Sequence, residues 1–235
     1  MSVSAEQEIA AVRAFAKKAV RARSDLSLFF ELVFRDEFTQ QRLRTAAHQR
    51  LVCEFVTAHE RAVIRMPVGF SKTFLTAAFV LFYLGNDTSL RAILLGATCG
   101  QAEKPLKLVS SYLDEIDTPE LRAIFPALRR TQRKTEKWTQ SAITVERPLA
   151  IRDPSVVSAG AESRAILGSR LKLIVVDDVL NEENTATEES RRDLNEWFHR
   201  SLYSRADPRD SRVIVTNVPW SEGSDADKKD ADLTY

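Results

Sequence analysis

The pair Lys72-Thr73 closes the run Pro67-Val68-Gly69-Phe70-Ser71, and 105 positions beyond Lys72 the apolar stretch 173–176 ends in Asp177-Asp178. These residue types suit phosphate chemistry. A turn that aims successive backbone N–H groups inward, at the positive end of a helix, cradles phosphate oxygens. A lysine there neutralises β- and γ-phosphates, and a threonine hydroxyl coordinates Mg²⁺. A carboxylate emerging at the end of a buried strand holds the same Mg²⁺ through water, and a second beside it orients or deprotonates the attacking water. The loop is a variant of G-x-x-x-x-G-K-[ST], with Met66 at the first glycine position and Ser71 at the second. Gly69 supplies one unusual backbone angle, and Ser71 is small enough for close approach. Either half alone is ordinary in α/β proteins, since an incidental Lys-Thr can follow a turn and strands often end in Asp. Together they predict a site for ATP and Mg²⁺. Residues 67–73 would bind the nucleotide, Thr73 and Asp177 the metal, and Asp178 and Lys72 would act in catalysis.

The elements that must carry these groups follow from periodicity. Residues 5–22 read as an amphipathic helix, with Ile9, Val12, Phe15, Ala16 and Val20 on one side. Asp25 is placed to cap a second helix, LSLFFELVF, and a third helical pattern spans about 45–58. AVIRM (62–66) is a short apolar strand that runs into the loop, and TFLTAAFVLFYL after it reads as a helix closed by Gly85. RAILLGA (91–97) is a second strand, followed by a helix over about 101–116 in which Pro105 must lie in the first turn or delay the start. Short strands are expected at 142–145 and 155–159, a strongly buried one at 171–176, a charged helix over 187–203 and a last strand at 211–216. Such alternation predicts an α/β P-loop NTPase fold, its mainly parallel central sheet flanked by helices and preceded by an N-terminal helical segment. The expected division is a helical segment at 1–44, an ATPase domain at 45–220 and an acidic tail at 221–235.

Composition narrows the class. Hydrophobic residues make up 44% and charged residues 29%, the balance of an ordinary globular chain. No apolar run approaches the ~20 residues that span a bilayer, and the N-terminus lacks the order of a secretion signal. Cys53, Cys99 and the three histidines form no metal motif. The net charge of +1 is unevenly placed. Arg122, Arg129, Arg130, Arg133, Lys134 and Lys137 cluster against Glu120 and Glu136, a candidate DNA or subunit contact or simply a solvated face.

The order and wording of these segments resemble the ATPase domain of tailed-phage terminase large subunits, over about residues 45–220. His48 and Gln49 stand where that family has a His or Gln near the adenine, some twenty residues before the phosphate loop. Residues 67–73 resemble its PRGxGKS-like loop, with Val68 where many members have an arginine proposed to act on the γ-phosphate. Ala123-Ile124-Phe125-Pro126 matches a helix end, and Gly160, Arg164, Gly168 and Arg170 match a G…(I/L)xGxR segment directly before the acidic strand. The family's catalytic acid is often a Glu after the metal-binding Asp, whereas one branch carries a DD pair like Asp177-Asp178. Glu182 or Glu183 is the alternative carboxylate. Thr216-Asn217 occupies the place of a polar coupling motif that senses the γ-phosphate.

The resemblance implies an ATP-hydrolysing motor that translocates double-stranded DNA into a procapsid. Its expected partners are double-stranded DNA, further copies in a homo-oligomeric ring on a portal, and a small terminase subunit. It would work in the host cytoplasm during virion assembly, without a membrane. Arg164 is the first candidate for an arginine finger, ahead of Arg170, Arg129 and Arg130. The family's nuclease domain is expected to be absent from these 235 residues. Two other readings stand beside this one: a helicase-like P-loop translocase, and a degenerate nucleotide-binding scaffold without turnover.

Overall fold

The computed structural model describes residues 5–114, 118–147, 151–161, 163, 170–180 and 187–218. Helices α1 (Ala5–Ala22), α2 (Leu26–Val33) and α3 (Ala47–Ala58) lead into β1 (Arg61–Arg65), and α4 (Lys72–Asn86) follows directly after the loop. Then come β2 (Ala92–Gly96), α5 (Cys99–Asp114), α6 (Pro119–Ile124), β3 (Ala142–Ile143), β4 (Val156–Gly160), β5 (Leu173–Asp177), α7 (Glu188–Glu196) and β6 (Arg212–Asn217). The strands form one six-stranded sheet in the order β1-β6-β5-β2-β4-β3. All neighbouring pairs are parallel except β3 against β4.

Period-two alternation divides the sheet's side chains between two cores. Ala62, Ile64, Leu94, Leu173, Val175 and Ile214 join the larger core with α2, α3, α4 and α5. Ile93, Leu95, Ile174, Val176, Val213 and Val215 face the opposite way, toward Phe198 and Leu202 beyond α7. Both faces are covered, which is why β2 and β5 read as unbroken apolar runs. In α2, Asp25 caps the first turn by accepting from the Leu28 N–H at 2.9 Å. Phe29, Phe30 and Phe34 are fully buried, so this N-terminal helix is part of the main core. Among the described residues no helix is long and apolar enough to cross a membrane.

Three local expectations fail for identifiable reasons. Of the expected apolar side of α1, Phe15 packs against the core but Ile9, Val12, Ala16 and Val20 are exposed, and the buried positions are Ala19 and Ala22. The helix packs against α2 and α6, and its buried side chains fall in its C-terminal half. Gly85 does not close α4. The helix runs on to Asn86, and Gly85 is needed because a Cβ there would sit 2.2 Å from the Phe125 ring. Pro105 lies inside α5, beyond its first turn, because the helix begins earlier than expected at Cys99.

The segment joining α2 to α3 is pinned near the loop. Glu120 of α6 is buried and pairs with Arg35 at 3.2 Å and Arg42 at 2.5 Å, on either side of the Arg35–Arg42 bridge. Burial alone would raise the Glu120 carboxyl, but its own backbone N–H and the two arginines outweigh that and hold it below its ordinary value.

Candidate functional site

The site is assembled where β1, β6 and β5 end side by side. Asn217 is opposite Arg65 in one register and Thr216 is opposite Asp177 in the next, so the inserted strand β6 bridges the loop and the acidic strand. The Met66 N–H donates to the Asn217 carbonyl at 3.0 Å, which fixes the start of the loop. Gly69 has φ 87°, a left-handed angle that an L side chain resists. Ser71 also turns left-handed, at φ 60° and ψ 33°, immediately before the first turn of α4. It does there what a glycine does without cost.

Ser71→Gly is therefore expected to stabilise the fold by about 0.5–1 kcal/mol, because the left-handed penalty of roughly 1–2 kcal/mol per residue outweighs glycine's extra chain entropy. Thermal unfolding measures it, and a lower midpoint for the glycine variant would contradict the strain.

Lys72 opens α4 with its side chain only 10% exposed, and its Nζ lies 3.0 Å from Asp178 Oδ2 and 3.4 Å from the Met66 carbonyl. Asp178 follows β5 at φ 47°, its N–H donating to the Thr216 carbonyl at 2.8 Å. That left-handed step turns its carboxylate back toward the loop. Asp177 accepts from the Thr216 hydroxyl at 2.5 Å. Burial raises the Asp177 carboxyl above its ordinary value, and neighbouring Asp178 adds to this, while Thr216 and Lys72 pull the other way.

Two oxygens here have no partner among the described residues. Asp178 Oδ1 and Asn217 Oδ1 are buried and accept no hydrogen bond among the described residues. Buried oxygen acceptors beside a carboxylate whose ionised form is disfavoured suit a hard cation and its waters. Among the described residues no cluster of three His, Cys, Asp or Glu side chains can hold a metal alone. An Mg²⁺ brought in on a triphosphate fits this donor set, with Thr73 beside Lys72 on the same turn.

The loop opens onto a cleft of about 930 Å³ lined by Val68, Gly69, Ser71, Lys72, Thr73 and Asp178. Its far walls were not foreseen. Lys104 and Lys107 of α5 line it, and so do Glu37 and the almost fully exposed Phe38 from the pinned α2–α3 segment. The spacing 104, 107, 111 on a helix that follows a strand's C-terminal end was the available signal.

His48 is exposed, and its ring rests on Phe70 with centroids 4.5 Å apart, so the α3 histidine and the loop are brought together. Gln49 is buried and accepts from the Ala46 N–H at 2.9 Å, which caps α3. Pro67 precedes Val68, which is 80% exposed at the cleft mouth. Thr216 and Asn217 are both buried. Arg130 is tied to Asp114 and lies over the Trp138 ring at 4.7 Å, and Arg133 pairs with Glu136. Arg170 is exposed. Arg164, Gly168, Glu182 and Glu183 lie outside the described residues.

In this mainly parallel sheet β6 is inserted between β1, which leads into the loop, and the acidic strand β5, and all three end at the same edge. The large terminase of bacteriophage HK97 has this fold: the two superpose with a TM-score of 0.54 at 14% identity, over 90% of this chain and 39% of that one. The large terminase ATPase domain of Thermus phage P74-26 gives a TM-score of 0.48 at 15% identity, over 74% of this chain and 65% of that one. The likeness is one of fold, and the chain spans 39% of the length of the HK97 protein. No family model and no curated protein matches the sequence.

Proposed function

We propose that this chain is the ATP-hydrolysing motor domain of a phage DNA-packaging terminase, driving double-stranded DNA into a procapsid. The observation that supports this best is the contact of Lys72 with Asp178 across the ends of β1 and β5, with Thr216 bonded to Asp177 between them. In this reading residues 67–73 bind the triphosphate and Lys72 leaves Asp178 to neutralise its β/γ oxygens. Thr73 and Asp177 hold Mg²⁺, which supplies charge neutralisation at the phosphates when bound. Asp178, released from Lys72, orients water for in-line attack, with Glu182 as the alternative carboxylate. Positioning and electrostatics dominate such a transfer, because the protein has little covalent work to do.

Thr216 connects the metal carboxylate to β6, so a change at the phosphates is felt at Asn217 and at the start of the loop. Arg164, as a finger from a neighbouring copy, would add about 10³–10⁵ in rate, as such arginines do in other NTPases. The remaining partners are a portal and a small terminase subunit, in the host cytoplasm.

The test is ATPase rate against protein concentration, with and without double-stranded DNA. A specific rate that climbs steeply with concentration and responds to DNA is expected from sites shared between copies. A flat, DNA-independent rate would remove the packaging ring, and ATP binding without any turnover would leave a scaffold.

A further inference from the structure

The cations of the phosphate cleft are not equivalent. Lys72 is already compensated by Asp178. Lys104 and Lys107 line the same cleft from α5, are exposed, and have no ion-pair partner among the described residues. They are one helical turn apart, and with Leu108 and Ser111 they keep one face of α5 toward the cleft. Helix α5 packs against α4, whose first residues Lys72, Thr73 and Phe74 form the opposite wall. The acids lining the cleft are Glu37 and Asp178, so its charge favours an anion only through these α5 lysines.

A nucleoside triphosphate brings more negative charge than Lys72 can neutralise, and the excess over a diphosphate sits on the terminal phosphate. We propose that Lys104 and Lys107 bind that terminal phosphate in cis, making α5 the element that distinguishes a bound triphosphate from a diphosphate. This rests on the proposed nucleotide site. It gives the chain a second sensor besides β6, placed on a separate helix that packs on β2 and β4. The same lysines border a further cleft of about 530 Å³ with Trp138, Thr139 and Gln140. A polyanion backbone lying there is the competing occupant.

The experiment compares the wild-type chain with Lys104→Ala/Lys107→Ala, Lys104→Arg/Lys107→Arg and Lys72→Ala. The probes are fluorescent ADP and a fluorescent non-hydrolysable ATP analogue, each with Mg²⁺, and separately a labelled DNA duplex. In the double alanine variant, affinity for the triphosphate probe should fall about ten- to a hundredfold, a tenfold loss per charge-assisted contact, while the diphosphate probe changes less than about threefold. The arginine variant should keep the preference for triphosphate, and Lys72→Ala should weaken both probes. An unchanged ratio of the two affinities in the double alanine variant overturns the inference, including the case where only duplex binding falls. Wild-type chain that binds neither probe overturns the nucleotide site itself. Both lysines are exposed, and a thermal midpoint equal to wild type confirms that the variants fold.

Discussion

Lys72→Ala is expected to lower ATP turnover by about 10²–10³-fold, the loss typical when one preorganised electrostatic contact to a developing charge is removed. The effect has two parts. The first is direct, since among the described residues Lys72 is the cation that lines the cleft from the start of α4, where the proposed site would hold the phosphates. The second runs through the carboxylates. With Lys72 gone, Asp178 loses its 3.0 Å partner and faces Asp177 with no intervening positive charge. Lys72 is also one of the groups that hold the Asp177 carboxyl down, so its loss pushes that carboxyl further up. Mg²⁺ must then compete with a more tightly held proton. Raising Mg²⁺ or pH should therefore recover part of the lost rate in the alanine variant and change the wild type little. Lys72→Arg should not rescue, because a planar guanidinium does not replace a compact ammonium at the foot of a tight loop. Steady-state ATPase assays across Mg²⁺ and pH read all of this. Turnover within about threefold of wild type would remove Lys72 from the chemistry.

The strands were legible because burial on both faces forces apolar runs, and β2 and β5 can be read directly from AILLG and LIVVD. The cap at Asp25 was legible for an equally local reason, since a short acceptor before a helix has few other uses. Lys72 stood out in the Lys-Thr of a phosphate-loop-like turn, and Asp177 and Asp178 as acids at the end of an apolar run. What could not be read was the order of strands, and with it the bond from Thr216 to Asp177. Parallel strands are joined by long crossovers, and nothing in SRVIVTN states that it inserts between two earlier strands. Lys104 and Lys107 were missed for the same reason. On a helix they look like ordinary solvent-facing lysines until the packing of α5 on α4 turns them toward the loop. The left-handed angle at Ser71 runs against that residue's preference and is set by the loop, while at Asp178 the Thr216 carbonyl holds an angle that aspartate tolerates better than most residues. The exposed side of α1 misled because an apolar stripe reports the capacity to pack, without saying which neighbour is present.

Asp177→Asn is expected to separate stability from function in one substitution. The Asn Oδ1 can still accept from Thr216, so the bond between β5 and β6 survives. What disappears is a half-buried negative charge set beside Asp178. Because burial raises the Asp177 carboxyl in the folded chain, its ionisation weakens the fold as pH rises through that raised value. Below the ordinary aspartate value of 3.8 the group is protonated in both folded and unfolded chains, so the asparagine and wild-type proteins should have nearly the same stability there. Near neutral pH the asparagine chain should be the more stable by about 0.5–2 kcal/mol, the range common when a destabilised functional group is removed. For a chain of this size that is a rise of about 2–4 °C in melting midpoint per kcal/mol. The same change removes the proposed anionic ligand for Mg²⁺, and Mg²⁺-dependent turnover should fall below detection. Saturating Mg²⁺-ATP should then raise the wild-type midpoint and leave the asparagine chain's nearly unmoved, because ligand bound only by the folded state stabilises it in proportion to occupancy. Thermal unfolding at acidic and neutral pH, with and without Mg²⁺-ATP, together with a steady-state ATPase assay, resolves every part. An asparagine chain less stable than wild type at neutral pH would mean that Asp177 is held by more cation than Lys72 provides, and the metal-binding role of that carboxylate would fall with it.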